Sequence, residues 1–274
     1  MKYFILILLF FVVTNCDTSK KKTDGLDVQI ACNLLATCNN QRSVKFGILG
    51  DSWTDLVFGT DVIDSLRVQL EKIHGYNLVG STIGGQQLSK VYEQGLHYYV
   101  IDQAGPSIQY MILSLGGNDI QANPANYLNN VENEKQNRFS QIRDNLFNLM
   151  RTGNIYKINK YGGGPLTWII HGYDYTNPDM ATSFPCRANL VSQGFTSSEV
   201  PAFQQNLLDS YNDYIKSLTF QDAQLRYIDL RGTLNGPPSK AEYMYDCIHP
   251  NSIGFRILGE KYVKFLQGYT NNER

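Results

Sequence analysis

Phe46-Gly47-Ile48-Leu49-Gly50-Asp51-Ser52 is an apolar run that gives way to a polar loop, and it sets a serine hydroxyl where an α/β enzyme keeps a nucleophile. Working outward, short apolar runs recur at Val44–Leu49, Tyr76–Val79, Tyr110–Leu115, Leu166–Ile170 and Leu225–Leu230. Several are β-branched and aromatic and bounded by Gly or Asp, so each predicts a strand. Between them lie segments of helical period: Ile63, Leu66, Leu70 and Ile73; Leu88, Val91 and Tyr92; Phe139, Ile142, Leu146 and Leu149; Phe203, Leu207, Tyr211, Tyr214 and Leu218. A last helix is predicted after Pro250, capped by Asn251 or Ser252 and burying Leu258, Tyr262 and Phe265. Parallel strands need crossover connections, so this alternation predicts a three-layer α/β/α sandwich around a parallel sheet of about five strands, flavodoxin-like.

In such folds ligands bind outside the carboxyl ends of the strands. Gly84-Gly85 follows the second run, Gly116-Gly117-Asn118-Asp119 the third, and Asp246-Cys247-Ile248-His249-Pro250 stands near the C-terminus. A serine hydroxyl needs a base to take its proton, and the base needs a group to fix its tautomer. His249 is the candidate base, and Asp246, three residues earlier on the same loop, can reach its Nδ1. His171 also follows a strand and is assigned to the pocket wall, not to the proton relay. Asp51, Tyr173 and Tyr175 are placed with it in the substrate pocket, and Asp55 and Asp119 lie near enough to disfavour anionic substrates. Tyr175–Val200 fits no element, and a loop of that length is expected to be a lid or binding loop.

The four blocks, in this order, resemble the GDSL or SGNH family of esterases and lipases across Val44 to Leu266. The resemblance implies a metal-independent serine ester hydrolase with no cofactor, working through an acyl-enzyme on Ser52 with Asp246 and His249. It implies an oxyanion hole made of the Ser52 and Gly85 backbone N–H groups and the Asn118 side-chain amide. Gly84 could replace Gly85, since the two glycines leave the register open by one; Gln86-Gln87 stands where the family has a small polar pair. The implied substrate is an acyl lipid or small acyl ester, the alternative an acetylated cell-envelope or extracellular polysaccharide. A different class of answer is a catalytically silent surface-binding lipoprotein. No Gly-x-Ser-x-Gly elbow, nucleotide-binding glycine loop, His-Glu-x-x-His or paired Cys-x-x-Cys occurs, so other hydrolase, nucleotide and metal chemistries are not indicated.

With 24 basic and 25 acidic side chains the 274-residue chain carries a formal charge of -1, which offers nothing for a nucleic-acid partner. The apolar block Phe4–Val13 is too short to span a bilayer and suits a signal peptide over residues 1–15. Val13-Thr14-Asn15-Cys16 looks like a bacterial lipoprotein box, with Asn15 departing from the usual small residue. Cys16 would be lipidated, 16–43 would be a tether, and 44–274 one hydrolase domain, expected to be a monomer. The protein is thus expected to be exported and membrane-anchored, or else secreted or periplasmic. Cys32, Cys38, Cys186 and Cys247 are an even number in an exported chain and allow three disulfide pairings. Cys32 with Cys38 and Cys186 with Cys247 is the preferred one.

Overall fold

β1 (Phe46–Gly50) is buried at all five positions, as a central strand covered on both faces must be. In the computed structural model, which describes residues 44–58, 61–180 and 185–270, it pairs in parallel with β4 (Leu78–Thr82) on one side and β5 (Tyr110–Ser114) on the other. β6 (Thr167–His171) and β7 (Leu225–Ile228) continue the sheet from β5, all in parallel. The order β4-β1-β5-β6-β7 is the flavodoxin-like arrangement, whose strand order reverses between β1 and β5. That reversal opens a crevice above Gly50 and Ser114, which sit in register. The expected three-layer α/β/α fold is the observed one. Cys16, Cys32, Cys38, the signal peptide and the tether lie outside the described residues.

The helices are α1 (Leu66–Val68), α2 (Leu88–Glu93), α3 (Leu96–Ala104), α4 (Gly117–Gln121), α5 (Val131–Tyr161), α6 (Cys186–Ser192), α7 (Val200–Leu218) and α8 (Ser252–Thr270). The longest, α5, starts where the Asn130 side chain accepts from Asn133 N–H at 3.0 Å and stops at Gly162, whose φ is +75°. It buries Phe139, Ile142, Leu146 and Leu149, the stripe read from the sequence. At Gly153 it presses on the sheet so closely that a Cβ would lie 2.8 Å from the Trp168 ring. Asn251, not Ser252, caps α8: its Oδ1 accepts from Ile253 and Gly254 N–H, both at 3.0 Å, while Ser252 Oγ accepts from Asp64 N–H.

Two departures from the sequence reading have local causes. The helix expected over Ile63–Ile73 is only one turn long, then widens into a π-helical turn over Gln69–Ile73. The wider turn rotates Ile73 off the buried stripe and leaves it 62 % exposed. Ile63 belongs instead to an antiparallel pair, β2 (Leu56–Phe58) with β3 (Asp61–Ile63).

Candidate active site

The loop after β1 is fixed to the end of β5 by a hydrogen bond from Asp51 N–H to the Ser114 carbonyl, 3.0 Å, and turns tightly as Thr54 N–H donates back to the Asp51 carbonyl, 3.0 Å. Ser52 is carried on that turn. Its Oγ stands 2.8 Å from His249 Nε2, and His249 Nδ1 stands 2.8 Å from Asp246 Oδ2. The other Asp246 oxygen accepts from the backbone N–H of Ile248 and of His249, each at 2.7 Å. A carboxylate that closes a turn on itself in this way also orients the ring at the turn's end. Burial pushes the Asp246 carboxyl up, but the His249 hydrogen bond and charge and these backbone donors outweigh it and hold it below the ordinary value. The structure therefore brings Ser52, His249 and Asp246 into one chain of hydrogen bonds.

Gly84 and Gly85 form the tip of a turn closed by Gln86 N–H donating to the Ile83 carbonyl, 3.1 Å. Gly85 has φ +76°, the third-position conformation of a type II turn that favours glycine. A Cβ on Gly84 would lie 4.0 Å from Ser52 Cβ, so the tip stands over the serine. Asn118, in the first turn of α4, donates its amide to the Gln86 carbonyl at 3.1 Å and to Asp51 Oδ2 at 3.4 Å. Gly85 and Asn118 thus border one cavity, and the turn carrying Gly85 stands over Ser52.

Beside them lies a cavity of about 430 Å³ whose wall includes Gly85 and Asn118, with Ile120, Leu190, Phe203, Leu207, Leu208 and Ile248 as its main apolar surface. Gln87, Gln121, Asn189, Gln193 and Gln204 add carboxamides, and among the described residues no charged side chain lines it. Cys186, which begins α6, lines it too and is disulfide-bonded to Cys247, with the two Cα atoms 5.9 Å apart. Cys247 lies between Asp246 and His249, so a covalent strap joins the cavity wall to the loop carrying the imidazole. The unassigned Tyr175–Val200 segment supplies this wall through Thr176, Cys186, Asn189, Leu190 and Gln193.

The pocket residues expected from sequence are placed otherwise. His171 is fully buried against Trp53, Tyr173 and Tyr262, and burial pushes its imidazole down to about 4, so it stays neutral. Tyr173 is buried and donates its hydroxyl to Asp51 Oδ2 at 2.6 Å. Tyr175 donates to Asp209 Oδ1 at 2.7 Å and is not on the cavity wall. Proximity to the sheet edge misleads here because side-chain direction is set by the pleat and the layer it faces. Asp51, also expected in the pocket, is only 1 % exposed and sits beneath it, accepting from Trp53 N–H at 3.0 Å and Ser114 Oγ at 3.1 Å besides Tyr173 and Asn118. Asp119 is engaged as well: its carboxylate accepts from Leu88 N–H at 2.9 Å and so caps α2. The cavity-lining side chains Ile120, Leu190 and Ile248 had no distinguishing pattern in the sequence, while Phe203 and Leu207 were legible only as one face of a helix.

Residues 46–262 match the family described as GDSL-like Lipase/Acylhydrolase. The chain belongs to that family. As a GDSL-family member it is a hydrolase of ester bonds. No curated protein sequence matches it significantly. Among solved structures, a lipase from goat rumen metagenome is 16 % identical with a TM-score of 0.55, covering 81 % of this chain and 96 % of its own. A carbohydrate acetylesterase from Sinorhizobium meliloti is 10 % identical with a TM-score of 0.51, covering 82 % and 99 %. An acetylxylan esterase from Geobacillus stearothermophilus, as a catalytic mutant, is 14 % identical with a TM-score of 0.50, covering 80 % and 92 %. At these identities the likeness shows the fold of the GDSL hydrolase and nothing finer.

Two predictions follow from this geometry. Burial pushes the Asp51 carboxyl up to about 6, against the pull of the Tyr173, Trp53 and Ser114 donors and the His249 charge. Its folded value exceeds the unfolded one, so its favourable contribution is complete below about pH 4 and is lost as pH rises through about 6, roughly 3 kcal/mol in all. Urea unfolding of Asp51→Asn between pH 4 and pH 7 is expected to show that much less loss of stability than the native protein; identical pH profiles would disprove it. For the strap, reduction of Cys186–Cys247 is expected to lower ester hydrolysis roughly tenfold or more by loosening His249, with far-UV circular dichroism unchanged. Full activity in protein whose two thiols are shown free by mass spectrometry would refute this.

Proposed function

We propose that Ser52, His249 and Asp246 are the catalytic triad of a serine esterase that takes acyl groups longer than acetyl. The observation that carries the triad is the pair of 2.8 Å contacts linking Ser52 Oγ to His249 and His249 to Asp246. Ser52 Oγ attacks the ester carbonyl while its proton passes to His249 Nε2, and Asp246 stabilises the resulting imidazolium through Nδ1–H. The oxyanion is received by the N–H groups of Ser52 and Gly85 and by the Asn118 amide, whose longer contact to Asp51 is the one given up. Collapse breaks the bond to the alcohol, which leaves with the proton from Nε2. Water then attacks the acyl-Ser52 ester by the same route and frees the acid.

The neutral, largely apolar cavity next to Gly85 and Asn118 supports an acyl lipid or small acyl ester as substrate, because a two-carbon acetyl group leaves most of 430 Å³ unfilled. A second reading, deacetylation of an envelope or extracellular polysaccharide, draws on the carboxamides of the same wall, which suit sugar hydroxyls. A panel of acyl esters separates the two. Two methylenes entering an apolar wall at about 0.8 kcal/mol each are expected to raise kcat/KM roughly tenfold from acetyl to butyryl, whereas a sharp fall beyond acetyl supports the deacetylase. In the same assay Ser52→Ala is expected to lose on the order of 10⁴–10⁶ in kcat. Unchanged hydrolysis would refute the triad, and a folded native protein inert to a fluorophosphonate would favour the silent surface-binding reading.

We further propose that residues 1–15 are a signal peptide and that Cys16 carries a lipid at the head of a tether over 16–43, placing the 44–274 domain on the outer side of a membrane. The support is the apolar block Phe4–Val13 followed by Val13-Thr14-Asn15-Cys16. Metabolic labelling with a fatty-acid analogue should mark the native chain and not Cys16→Ser; equal labelling, or none in either, would overturn the anchor.

A further inference from the structure

Arg138 lies on the second turn of α5 and is 9 % exposed. Its guanidinium does not serve the core: Nη1 donates to the carbonyls of Asp119 at 2.9 Å, Ile120 at 3.3 Å and Ala122 at 2.5 Å, and Nη2 to that of Asn123 at 3.4 Å. Those carbonyls belong to the end of α4 and the reversal after it, where a helix leaves its last oxygens without partners. Nε is oriented by Glu134 Oε1 at 2.7 Å, and the Tyr127 ring lies 4.8 Å from the guanidinium carbon, with its own hydroxyl donating to the Ile120 carbonyl at 2.8 Å. Asn123 holds the reversal in a left-handed conformation, φ +46°. Nη1 alone meets three of the four carbonyls, while Nε and Nη2 fix the plane of the group, an orientation that a freely rotating lysine ammonium lacks.

That segment bears on the chemistry from two sides. Upstream, α4 presents Asn118, and the Asp119 carboxylate caps α2 directly after the Gly84–Gly85 turn. Downstream, Ile120, Gln121 and Ala122 are cavity wall. We propose that Arg138 is a positioning residue that sets both the oxyanion-binding amide of Asn118 and the adjoining acyl wall. This rests on the oxyanion role proposed above for Asn118.

The test uses the full chain and compares native protein, Arg138→Lys, Asn118→Ala and the double variant, with active sites counted by fluorophosphonate titration. Per titrated site, Arg138→Lys is expected to lower kcat about 10- to 100-fold, up to the lower end of the roughly 10²–10³ that outright loss of one oxyanion donor costs, since the amide is misplaced and not removed. It should also bring the butyryl-to-acetyl ratio of kcat/KM towards one as the wall loosens. In the Asn118→Ala background the same substitution should cost less than about threefold in kcat, because the partner it positions is gone. A residue that only stabilised the fold would reduce the number of titratable sites and leave kcat per site and the acyl ratio unchanged; that result, or full additivity in the double variant, overturns the proposal. Should Arg138→Lys fail to fold, Glu134→Gln is the second variant, expected to give a loss of about threefold in kcat in the same direction, and no loss there overturns the proposal equally. Asn118→Ala with native kcat would instead sink the oxyanion reading itself, a distinguishable failure.

Discussion

A carboxylate at the seam between β1 and β5 must find donors or forfeit its charge, and Asp51 finds them in four directions. Trp53 N–H comes from its own turn, Ser114 Oγ from the end of β5, Tyr173 hydroxyl from the segment after β6 and the Asn118 amide from α4. Those contacts decide where three loops lie, and the serine next in sequence inherits the position. The same seam is where the strand order reverses, so the crevice opened by topology and the floor built by Asp51 coincide.

Two aspartates a short distance from one serine are thereby held in opposite regimes. Asp51 is raised by burial although it accepts several hydrogen bonds, whereas Asp246 is lowered because a turn of backbone donors and His249 face it. The difference suits their places: one organises the floor without acting as an acid or base, the other has to remain charged beneath an imidazole. Asp119, half-buried, and Asp174, buried, repeat the first pattern, each capping backbone N–H groups of a neighbouring segment.

How much of this was legible depended on the length scale of the signal. Short continuous apolar runs bounded by Gly or Asp marked the sheet, and stripes of helical period marked the long helices, since burial acts over many residues at once. Asp246 and His249 were legible because their block carries the spacing that a relay needs, and Ser52 because it stands where the first apolar run gives way to a polar loop. What failed was decided by single side-chain directions. His171 and Tyr173 stand at the right edge, but His171 packs against Trp53 and Tyr262 and Tyr173 spends its hydroxyl on the buried Asp51, and Ile73 is turned outward by one π-helical turn that no periodicity reveals. Arg138 was invisible for a related reason: in sequence it is one more cation on a helix, and only the fold brings the carbonyls of residues 119–123 to it.

The bond between Cys186 and Cys247 also constrains how this site can change. A substitution in α6 that reshapes the cavity moves Cys186, and through two sulfurs it displaces the loop between Asp246 and His249. Acyl preference and base placement are therefore inherited together along that wall. Phe203 and Leu207 on α7 face the same cavity without such a link, so variation in chain-length preference, natural or engineered, has its freest path through that helix.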